Sequence, residues 1–228
     1  MKNLDLIVTT NGRQEYISKT IDSWRGLIND NVNKKVIIDD SGDPSYRRWL
    51  SETFEDFEVF PLGEERTGYK TLLKTWSCDL DFDSEYVLVL EDDFLLLENI
   101  NVEYILNVLN QNPDMLQMTL KRQAWSQGEI AAGGLVEALY DGQNFIQSDG
   151  WFKHRMFFTT NPSFIKIDRF RDIARPIYEQ NPQLLAEGEL GEKIFEKYDS
   201  MYLAFLGEIF EAHKVEHIGW ARTGINYV

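Results

Sequence analysis

Residues 86–93 read YVLVLEDD. Five apolar residues in a row, with no polar alternation, mark a strand buried on both faces, as strands of parallel sheets are. The three acids follow without a spacer, so they emerge where that strand ends. Working towards the start of the chain, residues 4–10 (LDLIVTT) repeat the pattern and stop at Asn11-Gly12, a strand entering a tight loop. Tyr16, Ile17, Thr20, Ile21 and Trp24 then recur at helical spacing. Residues 35–39 (KVIID) are a second strand, ending in Asp39-Asp40-Ser41-Gly42, and 46–54 read as helix. A third strand, Glu58 to Leu62, precedes the loop 63–68, and Tyr69 to Trp76 is a helix leading back to the apolar strand. Strands alternating with helices predict an α/β fold with a mostly parallel, right-handed central sheet and helices on both faces. In such sheets ligands collect at the carboxyl ends of the strands. Here those ends carry Thr9-Thr10-Asn11-Gly12-Arg13, Asp39-Asp40 and Glu91-Asp92-Asp93, which predicts one site on one rim.

The second half is less periodic. Residues 105–109 read as helix and 115–120 (MLQMTL) as strand, and Lys121 to His154 reads as an irregular, substrate-facing insertion. FFTT (157–160) reads as a strand broken by Asn161-Pro162, with a short helix over 167–173 and another over 189–198. Lys214 to Ile218 is a last strand, followed by a glycine-containing tail. With no repeat or linker, residues 1–228 are expected to form one domain.

Composition narrows the function. Lys+Arg 23 against Asp+Glu 38 gives a net charge of −15, which removes the usual footprint of non-specific nucleic-acid binding. A local basic site remains open at Lys121, Arg122, Lys153, His154 and Arg155. The single cysteine, Cys78, rules out a disulfide framework and reads as a small buried hydrophobe. No apolar run is long enough to span a membrane, and Met1 to Asp5 lacks the features of a signal peptide, so a cytoplasmic location, no membrane association and no obligate protein partner are expected.

Three adjacent carboxylates repel one another, and a hard divalent cation such as Mg²⁺ or Mn²⁺ relieves the repulsion while it holds a diphosphate. An isolated acidic triplet is more often a plain strand-terminal turn. Its context here is specific: VTTNGR (8–13), DDSGDPSY (39–46), LEDDF (90–94), Lys121-Arg122-Gln123-Ala124-Trp125, Ala132-Gly133-Gly134, FTTNPS (158–163), Ala186-Glu187-Gly188 and Val215-Glu216-His217-Ile218-Gly219. In that order, over most of the chain, they resemble the GT-A glycosyltransferases, and among them a set of small phage-encoded enzymes related to glycosyltransferase family two. The resemblance implies the GT-A nucleotide-diphospho-sugar transferase fold, with residues 1–120 binding the nucleotide sugar and 121–228 the acceptor. It implies a divalent metal (Mn²⁺ or Mg²⁺) and a nucleoside-diphosphate sugar, a UDP-sugar favoured, as donor for a hexosyl or pentosyl transfer. The acceptor would be a hydroxymethylated pyrimidine in DNA or a protein or glycan hydroxyl.

The roles that follow are implied by the resemblance and by what each side chain can do. Thr9, Thr10, Asn11 and Arg13 surround the nucleotide, with the Arg13 fork suited to phosphate or base, and Asp39 or Asp40 accepts from base or ribose. Asp93 is the direct metal ligand, Glu91 and Asp92 orient the donor, and His217 is the third metal contact, ahead of His213. Arg66, Lys70 and Lys74 are candidates to neutralise phosphate, although such a residue is more often a solvated surface charge. Trp125 and Trp151 offer flat faces to a sugar or base, and Asn161 shapes the acceptor floor. The base lies in LLAEGELGEKIF (184–195), either Glu187 or Glu189; Glu187 is favoured because an acid at Glu189 suits the first turn of a helix without any catalytic role. Two alternatives remain. A sugar-nucleotide nucleotidyltransferase would bring a Gly-rich basic loop after the first strand, where TTNGRQEY (9–16) has one Gly and one Arg; a binding module without a base would keep affinity but not turnover.

Overall fold

The computed structural model describes residues 3–181 and 183–219; Met1, Lys2 and the tail beyond Gly219 lie outside the described residues. The first half runs β1 (Leu4–Thr10), α1 (Gln14–Asn31), β2 (Val32–Asp39), α2 (Pro44–Thr53), β3 (Glu58–Pro61), α3 (Tyr69–Lys74), a π-helical turn (Thr75–Asp79), β4 (Tyr86–Glu91), β5 (Phe94–Leu96), α4 (Val102–Gln111) and β6 (Met115–Thr119). The second half runs α5 (Gln127–Ala132), α6 (Leu135–Leu139), β7 (Phe145–Gln147), β8 (Trp151–His154), β9 (Ser163–Lys166), α7 (Ile167–Gln180), α8 (Glu187–Lys197), β10 (Tyr202–Leu206) and β11 (Val215–His217).

One nine-stranded sheet has the order β3-β2-β1-β4-β9-β6-β10-β8-β7, and β11 and β5 form a separate antiparallel pair. Only β9 and β8 run against the other seven strands. The mostly parallel sheet expected from the sequence is therefore present. Alternate residues of the central strands enter two cores: Leu6, Val8, Leu88 and Leu90 pack with α1, α2 and α4, while Ile7, Val87 and Val89 pack with α7, α8 and the π-helical turn. Every residue of β1 is buried, which is why its sequence does not alternate. Asp5, buried in β1, accepts from Lys34 N (3.1 Å), Asp83 N (2.7 Å), Ser84 N (3.0 Å) and Ser84 Oγ (2.7 Å), so its charge fastens the turn leading into β4.

Several sequence expectations are corrected. FFTT (157–160) forms no strand; the strand begins after Asn161-Pro162, at Ser163, and pairs with β4 and β6. The backbone before it is satisfied in other ways: Gln117 Nε2 donates to Thr159 O (2.7 Å), and Leu120 N donates to Pro162 O (2.9 Å). The stretch 121–154 is not irregular but carries α5, α6 and the β7–β8 hairpin that completes the sheet. Trp151 is accordingly a core residue, stacked on Tyr202 at 6.3 Å, and does not reach the site.

The five basic residues of this region also form no groove. Lys121 is buried, with its ammonium among Glu137 Oε1 (2.9 Å) and the carbonyls of Glu208, Ile209 and Glu211. Arg122 pairs with Glu129 (2.8 Å), Arg155 donates to the carbonyls of Phe195, Tyr198 and Met201, and Lys153 lies over the Tyr202 ring. His154 is buried beside Phe145, Phe157 and Phe205, and burial pushes its imidazole down to about 3, so it is neutral at physiological pH.

Candidate active site

The sheet register assembles the rim. Thr9 pairs with Glu91 and Thr10 with Asp39, and the ladder extends through Asp92 N to Thr9 O (3.0 Å) and Asp40 N to Thr10 O (2.9 Å). The polar ends of β1, β2 and β4 therefore lie side by side, as expected.

Their duties differ. Asp92 is fully buried; it takes both Nε (3.3 Å) and Nη2 of Arg13 and the Thr10 hydroxyl (2.6 Å), while its carbonyl accepts from the Thr20 hydroxyl (2.9 Å) of α1. Asp39 accepts from Ser41 N (2.9 Å) and Arg47 Nε (3.3 Å). Asp40 accepts from Thr67 N (2.6 Å), Thr67 Oγ1 (2.7 Å) and Gly68 N (2.8 Å). In this arrangement Asp39 and Asp40 brace the loops around the rim, and protein partners occupy their oxygens.

Asp93 is different. Its Oδ2 accepts from Arg13 Nη1 (2.6 Å) and lies 3.2 Å from His217 Nε2, while its Oδ1 is buried without a partner among the described residues. Burial alone would raise this carboxyl, but His217 and Arg13 outweigh it and hold Asp93 below the usual range. The β5–β11 pair delivers the histidine: His217 sits opposite Phe94 in the register, and its ring stacks on Phe94 (4.5 Å) and tilts against Trp125 (4.5 Å). The backbone is clamped by Gln123, which accepts from His217 N (2.8 Å) and donates to His217 O (2.9 Å). Among the described residues Nδ1 has no hydrogen-bond partner, and Nε2 has only its 3.2 Å approach to Asp93 Oδ2.

Ligand atoms of Glu91, Asp93 and His217 all lie within 4.8 Å of one another. Two carboxylates and an imidazole, each able to offer one ligand atom and with Asp93 Oδ1 buried and unspent among the described residues, fit a divalent cation.

On the opposite wall, Glu187 opens α8. Its Oε2 accepts from Thr160 N (2.7 Å) and Thr160 Oγ1 (3.0 Å), and its own N–H donates to the Tyr69 hydroxyl (2.6 Å). Burial holds the Glu187 carboxyl above the usual range, against the hydrogen bonds from Thr160. Glu91 is also raised, by burial and then by Asp93. Glu189 points outwards, where it accepts from Ala186 N (2.5 Å) as a helix cap and pairs with Lys70 at 3.3 Å.

A cavity of about 340 Å³ separates the two walls. Thr9, Thr10, Asn11, Arg13, Glu91, Asp92, Trp125, Asn161, Glu187 and His217, all expected from the sequence, line it. Arg66 lies on the exposed loop before α3, and Lys74 faces Asp79 at 4.0 Å; neither lines the cavity. Thr160, Tyr69 and the apolar wall of Leu72, Leu73 and Trp76 line it without having been assigned a role in advance. The π-helical turn that follows α3 carries Trp76, and periodicity read as straight helix conceals it.

Gly219 closes the site. A Cβ on it would lie 2.0 Å from Asp93 Oδ2 and 3.1 Å from Arg13 Nη1. Gly219→Ala is therefore expected to push the Asp93 carboxylate aside and weaken Mn²⁺ binding about tenfold or more, measured by calorimetry with the metal alone.

No family model and no curated protein matches the chain. Among solved structures, GalNAc-T7 with UDP, GalNAc and Mn²⁺ aligns over 95% of this chain and 44% of that chain, with a TM-score of 0.56 at 11% identity. Residues 1–349 of S. aureus TarS align over 96% and 61%, with a TM-score of 0.49 at 14% identity. The chain thus spans less than two thirds of either structure. The first likeness shows the fold: an α/β domain of the GT-A type.

Proposed function

We propose that the protein is a metal-dependent glycosyltransferase that moves a hexose or pentose from a nucleoside diphosphate, a UDP-sugar favoured, to a hydroxyl group with inversion. One observation carries this reading: Glu91 and His217, which with Asp93 place their ligand atoms within 4.8 Å of one another, line one cavity at the sheet rim together with the half-buried carboxylate of Glu187. GalNAc-T7, similar in fold, was solved with UDP and Mn²⁺.

Glu91, Asp93 and His217 would hold the cation, which when bound supplies positive charge to a departing diphosphate. Thr9, Thr10, Asn11 and Arg13 border the nucleotide on the β1 side. Glu187 takes the proton of the acceptor hydroxyl as its oxygen bonds to the anomeric carbon, and the bond from that carbon to the diphosphate breaks on the opposite face. One base and one displacement suffice for inversion. Trp125 and Asn161 border the acceptor. With Lys121, Arg122 and Arg155 spent on internal partners, a protein or glycan hydroxyl suits the surface better than a hydroxymethylated base in DNA, whose backbone calls for free cations. No helix among the described residues is long and apolar enough to cross a membrane.

The test is a melting-temperature panel of nucleoside diphosphates with and without Mn²⁺. The expected result is a rise of several degrees for UDP only when Mn²⁺ is present, because a ligand held at about a hundred times its Kd adds about 2.7 kcal/mol to the folded state. No rise with any nucleotide would overturn the reading.

A further inference from the structure

The loop between Phe158 and Ser163 belongs to no strand, yet it is held from below. Gln117, 1% exposed, donates to Thr159 O (2.7 Å) and to Ser163 Oγ (2.8 Å). That anchor leaves Thr160 between the two walls of the cavity. Its amide and its hydroxyl both reach Glu187 Oε2, at 2.7 and 3.0 Å, and the same hydroxyl lies 2.7 Å from Glu91 Oε1. A hydroxyl carries one hydrogen, so it serves one of the two carboxylates at a time. Glu187 has few other restraints on that oxygen, since the Tyr69 hydroxyl engages its backbone and not its carboxylate.

We propose that Thr160 is the positioning residue of this site: it aims the Glu187 carboxylate into the cavity and links it, through a single shared hydroxyl hydrogen, to Glu91 on the donor wall. The proposal rests on the transferase reading for its consequence in turnover, but not for the link itself. A hydrogen bond to the charged form of a carboxyl favours that form. Thr160→Val removes the hydroxyl and keeps the amide, so Glu187 loses one of its two donors and rotates more freely. Thr160→Ser restores the donor.

Two measurements on the full chain test it. The first is the titration of Glu187, followed by carboxyl-carbon NMR in the free protein with Glu187→Gln used to assign the signal. Glu187 is expected to titrate at higher pH in Thr160→Val and at the wild-type position in Thr160→Ser. The second is release of UDP from a UDP-sugar with Mn²⁺ present: kcat is expected to fall about tenfold to a hundredfold in Thr160→Val and recover in Thr160→Ser, while the Kd for UDP stays within about threefold. An unchanged Glu187 titration in Thr160→Val overturns the proposal whatever the turnover, and so does a shift that serine fails to reverse. A serine-reversible shift in a protein that releases UDP from no UDP-sugar upholds the link, and what falls is the UDP-sugar as donor.

Discussion

Asp93→Ala is expected to abolish the Mn²⁺-dependent rise in melting temperature with UDP and to lower transfer by about a thousandfold, the loss of roughly 4 kcal/mol of stabilisation. Among the described residues Asp93 provides the one buried carboxylate oxygen of the acidic triplet that has no protein partner, Oδ1, while its Oδ2 stands 3.2 Å from His217 Nε2. Asp92, its neighbour, has both oxygens engaged by Arg13 and Thr10. The variant should still fold, because Arg13 keeps its paired contact with Asp92 when Asp93 is gone. Asp93→Asn separates charge from shape: it keeps the side-chain volume and is expected to lose the Mn²⁺ effect as fully as alanine does. Wild-type UDP binding and turnover in Asp93→Ala would remove the metal from the mechanism.

Glu187→Gln is expected to lower kcat by roughly 10²- to 10⁴-fold, the range of a general base, with UDP affinity retained. This separates an enzyme from a binding module, which would lose nothing measurable. The pH dependence has a definite sign. As the proposed base Glu187 would have to be ionised to accept a proton, and burial holds its carboxyl above the usual range, so activity is expected to be lost on acidification at a higher pH than an ordinary glutamate would give. Stability runs the other way. Between the unfolded and the raised folded value, the folded state binds more protons, so this group's contribution falls as pH rises through that window and is a net cost above it. Glu187→Gln removes the charge, and its melting temperature at neutral pH should equal or exceed that of the wild type. A lower melting temperature together with lost turnover would point to a structural role.

Much of this site is legible in the residues themselves. An apolar run followed at once by acids, as in YVLVLEDD, states that a buried strand ends in charge, and β1 and β2 end in polar clusters in the same way. Parallel strands in one sheet bring such ends to one rim, so Thr10, Arg13, Glu91 and Asp93 converge without further information. Which acid does what is not legible. Glu187 and Glu189 have the same side chain and stand two residues apart, yet about 200° of helix rotation separates them. One meets Thr160 and the cavity; the other meets solvent and Lys70. The same holds for Asp39 and Asp40, whose oxygens go to Arg47 and to the Thr67-Gly68 turn, and for Trp151, an aromatic residue at a loop-like position that Tyr202 draws into the core.

Thr160 is the extreme case. It belongs to no periodic element, and its place depends on Gln117 from β6, while the two carboxylates it joins come from β4 and the first turn of α8. By itself the sequence determines the alternation of strands and helices, the rim and the acidic composition of the site, because these follow from local periodicity and from burial on each strand. Only the tertiary structure decides which carboxylate is spent on a partner and which is left free, because hydrogen-bond partners are chosen by neighbours in space and each donor can be used once.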